Sequence, residues 1–397
     1  MLHNMDKKPS LLTLALLISL AAVGALFFTP GIPHMATDFN ISPQITQFTI
    51  ILYLIGYAVG QLFYGPISKK YGRKFALYIG LAIAVIGSLL CALSKPFDSF
   101  WLLLFARFIL AIGAASGYAL TFTIIADSFS PEDSKHVIPK VAMGLSVFPF
   151  GSVIIGGFLV QFFGWASTFY FLIIYCFFLI YLTARLPETG SPSKEHSIHP
   201  LQIIRDYTDV LKYGRLSVFS LAIAGCVGIF YIFAGTAPFL AIHGMGIKSY
   251  QYGLLSAIVT VGFVLGALIT SHIAKKLEGT VQSVLGICIN TIAMLIMAWL
   301  FFFKVENIWT LFLPMFFITW GIMFIWSNCA ALATKDIPDK AHAAGVMSFI
   351  NVAGGVVGVL IISIFRITNP IVMPIVFLVI TIFQICMIIY ARKKQYS

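Results

Sequence analysis

Apolar positions in this chain neither alternate at the period of a strand nor form a single stripe along a helix. They run in long blocks separated by short polar turns. An α-helix needs roughly 20 apolar residues to cross the apolar core of a bilayer, about 30 Å thick, and blocks of that size tile the sequence from end to end. Hydropathy and turn residues together predict twelve spans, at 11–33, 46–68, 75–94, 100–126, 138–162, 165–185, 216–240, 251–273, 281–303, 308–333, 343–366 and 371–390. The first block follows Lys7 and Lys8 as the apolar part of a signal peptide would. It is long and lacks a small-residue cleavage site, so it reads as a retained first helix.

Composition makes lipid the solvent. The 397 residues are 60% hydrophobic and 10% charged, with a mean hydropathy of +0.98, which leaves too little polar surface for a soluble globule. The net charge of +11 would suggest nucleic acid in a soluble protein, but no basic stripe with interleaved aromatics is present, so no nucleic-acid partner is expected. The placement of the charges says more than their sum. With both termini assigned to the cytoplasm, twenty of the twenty-five Lys and Arg residues fall on the cytoplasmic side, Lys95, Lys248, Lys304 and Arg366 fall outside, and Arg107 alone lies within a span. This is the positive-inside distribution.

The longest polar interval, 187–215, holds Lys194, Glu195, His196, Arg205, Asp206, Asp209 and Lys212 and follows the sixth span. It divides the chain into an N-terminal half (1–186), a cytoplasmic linker (187–215) and a C-terminal half (216–397). Gly56, Tyr57, Gly60, Leu62, Ile67, Ser68, Lys69 and Lys70 align at a constant offset of 206 with Gly262, Phe263, Gly266, Leu268, Ile273, Ala274, Lys275 and Lys276. A second echo sets Asp127 and Pro131-Glu132 against Asp336 and Pro338-Asp339. The predicted fold class is an all-α membrane protein of twelve transmembrane helices in two pseudo-symmetric six-helix halves. Parallel halves of this kind form a site near the bilayer midplane and expose it alternately to the two sides, which implies transport of a small molecule.

Chemistry-bearing residues within the spans are few. Arg107 would cost about 2.5–3.5 kcal/mol in a span unless it met a partner or a cavity. Tyr53, Tyr57, Tyr118, Tyr231, Trp326 and Asn328 are the polar or aromatic groups expected to face the bundle interior. None of the fourteen acidic residues lies deep in a span. Cys91, Cys176, Cys226, Cys288, Cys329 and Cys386 sit singly in apolar segments and read as packing residues, with no spacing for metal or redox chemistry. Recurrent glycines (Gly56, Gly60 and Gly65; Gly113 and Gly117; Gly151, Gly156 and Gly157) would let helices approach closely or slide. No His-Glu cluster, carboxylate dyad or nucleotide-binding loop is visible, so an enzyme within the membrane is the remote alternative and no cofactor or metal is expected.

The turn Gly65-Pro66-Ile67-Ser68-Lys69-Lys70-Tyr71-Gly72-Arg73-Lys74 resembles the cytoplasmic loop signature of the major facilitator superfamily. With Gly60-Gln61-Leu62-Phe63-Tyr64 before it, the match is to the bicyclomycin-resistance type of drug/proton antiporter. Phe163-Gly164-Trp165, Leu186-Pro187-Glu188-Thr189 and Tyr252-Gly253-Leu254-Leu255 agree with it. The resemblance implies the major facilitator fold and proton-coupled efflux of drugs or other amphipathic molecules. It assigns gating to Gly65, Lys69, Gly72, Arg73 and Asp127, with Arg73 pairing to Asp127 and locking the outward-facing state. It gives Arg107 a role in proton coupling or cavity electrostatics and places a bend in helix five at Pro149 with Gly156 and Gly157, while Tyr57, Tyr118, Tyr231, Trp326 and Asn328 stand as candidate substrate contacts on their place within the spans alone. Three positions depart from the pattern: Leu26 stands where an acid is common, Lys69 replaces the loop acid, and Ser152-Val153 replaces the central pair of the helix-five signature. An exporter or carrier of an anionic metabolite or carboxylate siderophore is therefore a second reading, motivated by Arg107. The expected partners are a small-molecule substrate, protons and membrane lipid. The chain is expected to act as a monomer in the cytoplasmic membrane.

Overall fold

The computed structural model describes residues 8–190, 212–273, 277–335, 337, 340–394 and 396. Among them are twelve helices long and apolar enough to cross a membrane: α1 (Leu11–Asp38), α2 (Pro43–Tyr71), α3 (Arg73–Leu93), α4 (Phe100–Ser128), α5 (Glu132–Phe163), α6 (Ala166–Ala184), α7 (Gly214–Gly244), α8 (Ser249–Ile273), α9 (Gly279–Phe302), α10 (Ile308–Thr334), α11 (Ala343–Ser363) and α12 (Val372–Lys393). No strand occurs among the described residues. Lys7, most of the predicted linker (191–211), the pair Lys275-Lys276, and Asp336 with Pro338-Asp339 lie outside them. The chain divides into two compact units, Met1–His34 with Leu52–Pro200, and Met35–Ile51 with Leu201–Ser397.

The observed helices follow the predicted spans closely, with two informative departures. The first span was expected to end at residue 33, yet α1 continues to Asp38. Its regular helix stops at Leu26, a 3-10 turn covers Thr29–Gly31, and a short helix resumes at Ile32. Pro30 has no N–H to give the Leu26 carbonyl, and Thr29 Oγ1 donates to it instead at 2.7 Å, so the proline interrupts the segment without ending it. The fifth span was expected to start at 138 but begins several residues earlier. Its first part, Pro131–Ala142, is polar and amphipathic, with Ser130 Oγ accepting the Asp133 N–H at 3.1 Å as a cap. Hydropathy does not detect such a turn; capping residues do.

Lipid provides no hydrophobic force between helices, so they are held by close packing at small residues and by hydrogen bonds. In the first unit a Cβ on Gly113 would overlap the backbone of α3 at Ala84, and one on Gly117 would overlap the Leu17 carbonyl of α1. In the second unit Gly354 and Gly358 of α11 pack on Ala224 and Gly228 of α7, and Gly286 of α9 meets Gly321 of α10. Two buried glutamines add polar ties there. Gln47 Nε2 donates to the Gly235 carbonyl at 3.0 Å, and Gln384 Nε2 to the Ala222 carbonyl at 2.7 Å.

Four of the six cysteines are buried as expected, but Cys288 and Cys386 lie on exposed faces of α9 and α12. In a bilayer an apolar side chain loses nothing by facing lipid, so an apolar segment does not by itself predict burial.

These contacts give a stability prediction. Gly113→Ala pushes a methyl group into the α3 backbone and is expected to destabilise the protein by about 1–3 kcal/mol, read as a lower melting temperature in detergent. Gly151→Ala, which has nothing within 4 Å of its Cβ position, is expected to leave that temperature unchanged.

Candidate functional site

Two clusters in the first unit gather the charged residues singled out by the sequence. The first is built around Arg107, which α4 presents to the break in α1. The side chain is fully buried, at 0% exposure. Its Nη1 donates to the Gly24 carbonyl at 2.7 Å, and its guanidinium carbon lies 3.9 Å from the centre of the Phe28 ring and 4.1 Å from that of Tyr53. Tyr53 in turn donates its hydroxyl to the Ala21 carbonyl at 2.7 Å.

Gly24 sits in the last turn of the regular helix Leu11–Leu26. That is the negative end of a helix dipole, where a cation is favoured. A charged hydrogen bond contributes roughly 1.5–3 kcal/mol, and a desolvated cation over a ring up to about 2. Their sum matches or exceeds the cost of placing an arginine in a span. Arg107 can therefore remain charged inside the bilayer as the clasp of an interrupted helix, with two aromatic faces and a carbonyl around it.

The second cluster lies at the α2–α3 turn. Arg73 is the first residue of α3; its Nε donates to Asp127 Oδ2 at 2.9 Å and its Nη1 to Ser68 Oγ at 3.0 Å. The pair is partly shielded, with side-chain exposures of 14% and 25%. Ser68 Oγ in turn donates to the Gly65 carbonyl at 2.8 Å, and Thr189 Oγ1 donates to Asp127 Oδ2 at 3.3 Å. The Glu188 carboxylate, just past α6, accepts the backbone N–H groups of Arg73 and Lys74 at 2.8 and 3.1 Å. Gly72 has φ +97°, a left-handed conformation that favours glycine.

Lys69 is exposed and belongs to the last turn of α2. There it lies at the negative end of its own helix, where a cation is favoured. The structure thus shows a local reason for a lysine at this position, where the loop signature has an acid. Gly65 has nothing within 4 Å of its Cβ position.

The remaining candidates are dispersed. Tyr57 and Tyr118 form an edge-to-face pair with ring centres 6.3 Å apart, and Tyr118 continues to Phe122 at 5.5 Å. In the second unit Tyr231 packs edge-on against Phe230, and Trp326 is exposed. Asn328 Nδ2 donates to Gln282 Oε1 at 3.3 Å and to the Phe324 carbonyl at 2.8 Å, tying α10 to α9. The α5 segment is divided at Met143 into two helices, with Pro149 inside the second; Ser152 Oγ donates to the Pro149 carbonyl. Gly156 is packed against the Phe27 carbonyl of α1, and Gly157 is buried. A groove of about 480 Å³ between α9 and α10, lined by Ile292, Ala293, Leu313 and Pro314 among others, contains none of the candidates.

Sequence reasoning missed the partners rather than the principals. Gly24 and Phe28 carry no individual signal, and Glu188 stands in a recognised motif without a role of its own, because these roles arise from segments brought together by the fold. Thr29 could have been found, since a hydroxyl directly before a proline can replace the donor that the proline lacks.

Comparison with known proteins gives a consistent picture. The family model of the Major Facilitator Superfamily matches residues 13–362. Multidrug resistance protein D of Escherichia coli is 27% identical over 348 residues, covering 85% of this chain and 84% of that protein. The bicyclomycin resistance protein homolog of Haemophilus influenzae is 24% identical over 366 residues, covering 89% and 88%. Among solved structures, the crystal structure of a D-xylose-proton symporter superposes with a TM-score of 0.74 over 94% of this chain and 96% of that one, at 14% identity. This last likeness is one of fold.

The Arg107 cluster makes its own prediction. Arg107→Ala removes the donor to Gly24 and empties the space between two rings, and is expected to lower the melting temperature in detergent strongly. Arg107→Lys keeps the charge but loses the planar group that stacks on both rings, and is expected to fall between wild type and alanine. Tyr53→Phe, which loses one hydrogen bond, is expected to cost about 1 kcal/mol.

Proposed function

This chain belongs to the major facilitator superfamily, and from that premise we propose that it is a secondary active transporter exporting drugs or other amphipathic small molecules by alternating access, driven by protons. The observation that carries the reading is the similarity along most of the chain to multidrug resistance protein D, supported by the bicyclomycin resistance homolog. Proton coupling rests on the family; among the described residues, every acid lies at a helix end or in a turn. The distribution of basic residues supports a cytoplasmic-membrane protein with both termini in the cytoplasm, and the reading is of a monomer.

The rival reading, a carrier of anionic metabolites or carboxylate siderophores, was motivated by an arginine within a span. The geometry around Arg107 supplies another reason for that charge, because its guanidinium is buried against Gly24, Phe28 and Tyr53. The amphipathic exporter is therefore favoured.

Within this function the α2–α3 turn acts as a latch. Arg73 joins the start of α3 to the end of α4 through Asp127 and to the end of α2 through Ser68, so three helix ends move together while those bonds persist. We assign to this latch the stabilisation of the outward-facing state, with Gly65, Lys69 and Gly72 shaping the turn.

The purified protein reconstituted into inside-acidic proteoliposomes tests the proposal. Proton exit is expected to drive accumulation of a lipophilic cation, and a protonophore to abolish it. Gradient-driven movement of organic anions alone, or cation movement indifferent to the gradient, would contradict the reading.

A further inference from the structure

We propose that Glu188 is a positioning residue of the α2–α3 latch, holding Arg73 in line with Asp127 from the end of α6. The inference rests on the latch reading given above.

The sequence of α3 does little to favour its own start. The amino end of a helix has orphan N–H groups and a positive dipole, and favours a capping oxygen and acidic residues. The sequence offers the opposite: Gly72 at the cap has no side chain, and Arg73 and Lys74 place two cations in the first turn. Lys69, where the family pattern has an acid, adds a further positive charge nearby in sequence. Left to its own residues, this amino end would fray.

Glu188 supplies what the segment lacks. One carboxylate oxygen accepts the Arg73 N–H at 2.8 Å and the other the Lys74 N–H at 3.1 Å. Gly72 makes room for it, since a Cβ there would stand 3.0 Å from Glu188 Oε2. The same carboxylate accepts the Gly190 N–H at 3.1 Å, and Gly190 packs on the aliphatic part of Arg73. Lys74 Nζ fastens the other side of the junction, donating to the Ala184 carbonyl at 3.0 Å.

The residue whose backbone is capped is also the residue whose side chain forms the latch. Fixing the Arg73 N–H fixes the direction in which its guanidinium leaves the helix, and Asp127 receives Nε at 2.9 Å. Thr189, the next residue along, reaches the same Asp127 oxygen. Since Pro187 opens the polar interval between the two halves, the first residues of that interval are seated on the latch.

The test uses the full-length transporter in proteoliposomes, with Glu188→Ala, Glu188→Gln, Glu188→Asp, Asp127→Asn and the double variant Glu188→Ala/Asp127→Asn. Loss of a charged hydrogen-bond network predicts turnover lower by about tenfold in Glu188→Ala, with KM little changed, an intermediate value for Glu188→Gln and partial rescue by Glu188→Asp. The double variant is expected to be no slower than the worse single one, because both changes break one unit. Multiplying effects would overturn the proposal, as would a normal rate in Glu188→Ala when Asp127→Asn is slow. A normal rate in Asp127→Asn would instead sink the latch reading itself, whatever Glu188 does. A protein too unstable to reconstitute as Glu188→Ala is assessed through Glu188→Gln, which preserves the shape of the side chain.

Discussion

No water reaches the bilayer core to receive a backbone group that a helix has left unpaired, so every interruption of a helix there must be satisfied by other protein groups. The break in α1 is where this constraint acts most sharply. Pro30 withholds a donor from Leu26 and Thr29 replaces it. One turn earlier, Arg107 and Tyr53 bring donors from α4 and α2 to the carbonyls of Gly24 and Ala21. Three helices are thereby tied at one point, and the buried charge that does so is shielded by two rings. Glycines elsewhere in α4 let it lie close enough to α1 and α3 for those reaches to be made.

The same principle, applied at the membrane edge, explains the α2–α3 turn. There the orphan groups are N–H rather than C=O, and the compensating charge is an anion from another helix end. Arg107 and Glu188 are thus complementary answers to one question: what pairs with the exposed dipole of a helix when its own sequence does not. In both cases a charge that looks available for substrate or proton chemistry is engaged by backbone. For Arg107 this removes the principal argument for an anionic substrate and leaves the family resemblance as the guide to cargo.

The fold was legible from the sequence because its signal is large. Blocks of some 20 apolar residues exist for a single physical reason, and the echo at an offset of 206 points to two related halves. Legibility failed where the signal was local chemistry: α1 ran on past Pro30 because Thr29 repaired the break, and α5 began early because Ser130 capped a polar turn. At the site, Arg107, Arg73 and Asp127 stood out as charges within or beside spans. Asn328 was expected to face the bundle interior, and the structure shows its amide bonded to Gln282 on the neighbouring helix. The partners Gly24 and Phe28 could not be identified, and Glu188 was visible only as part of a motif, since what these residues do is a property of helices meeting and not of any one segment.

The account turns on the claim that the Arg107 charge is structural and does not select the cargo. The most direct measurement is the ratio of transport rates for a lipophilic cation and a lipophilic anion of similar size, in wild type and in Arg107→Met, a change that keeps much of the length of the side chain and removes its charge. The account predicts a slower, less stable protein with the same preference for the cation. A preference that reverses, or anion transport in wild type that vanishes with the arginine, would contradict it.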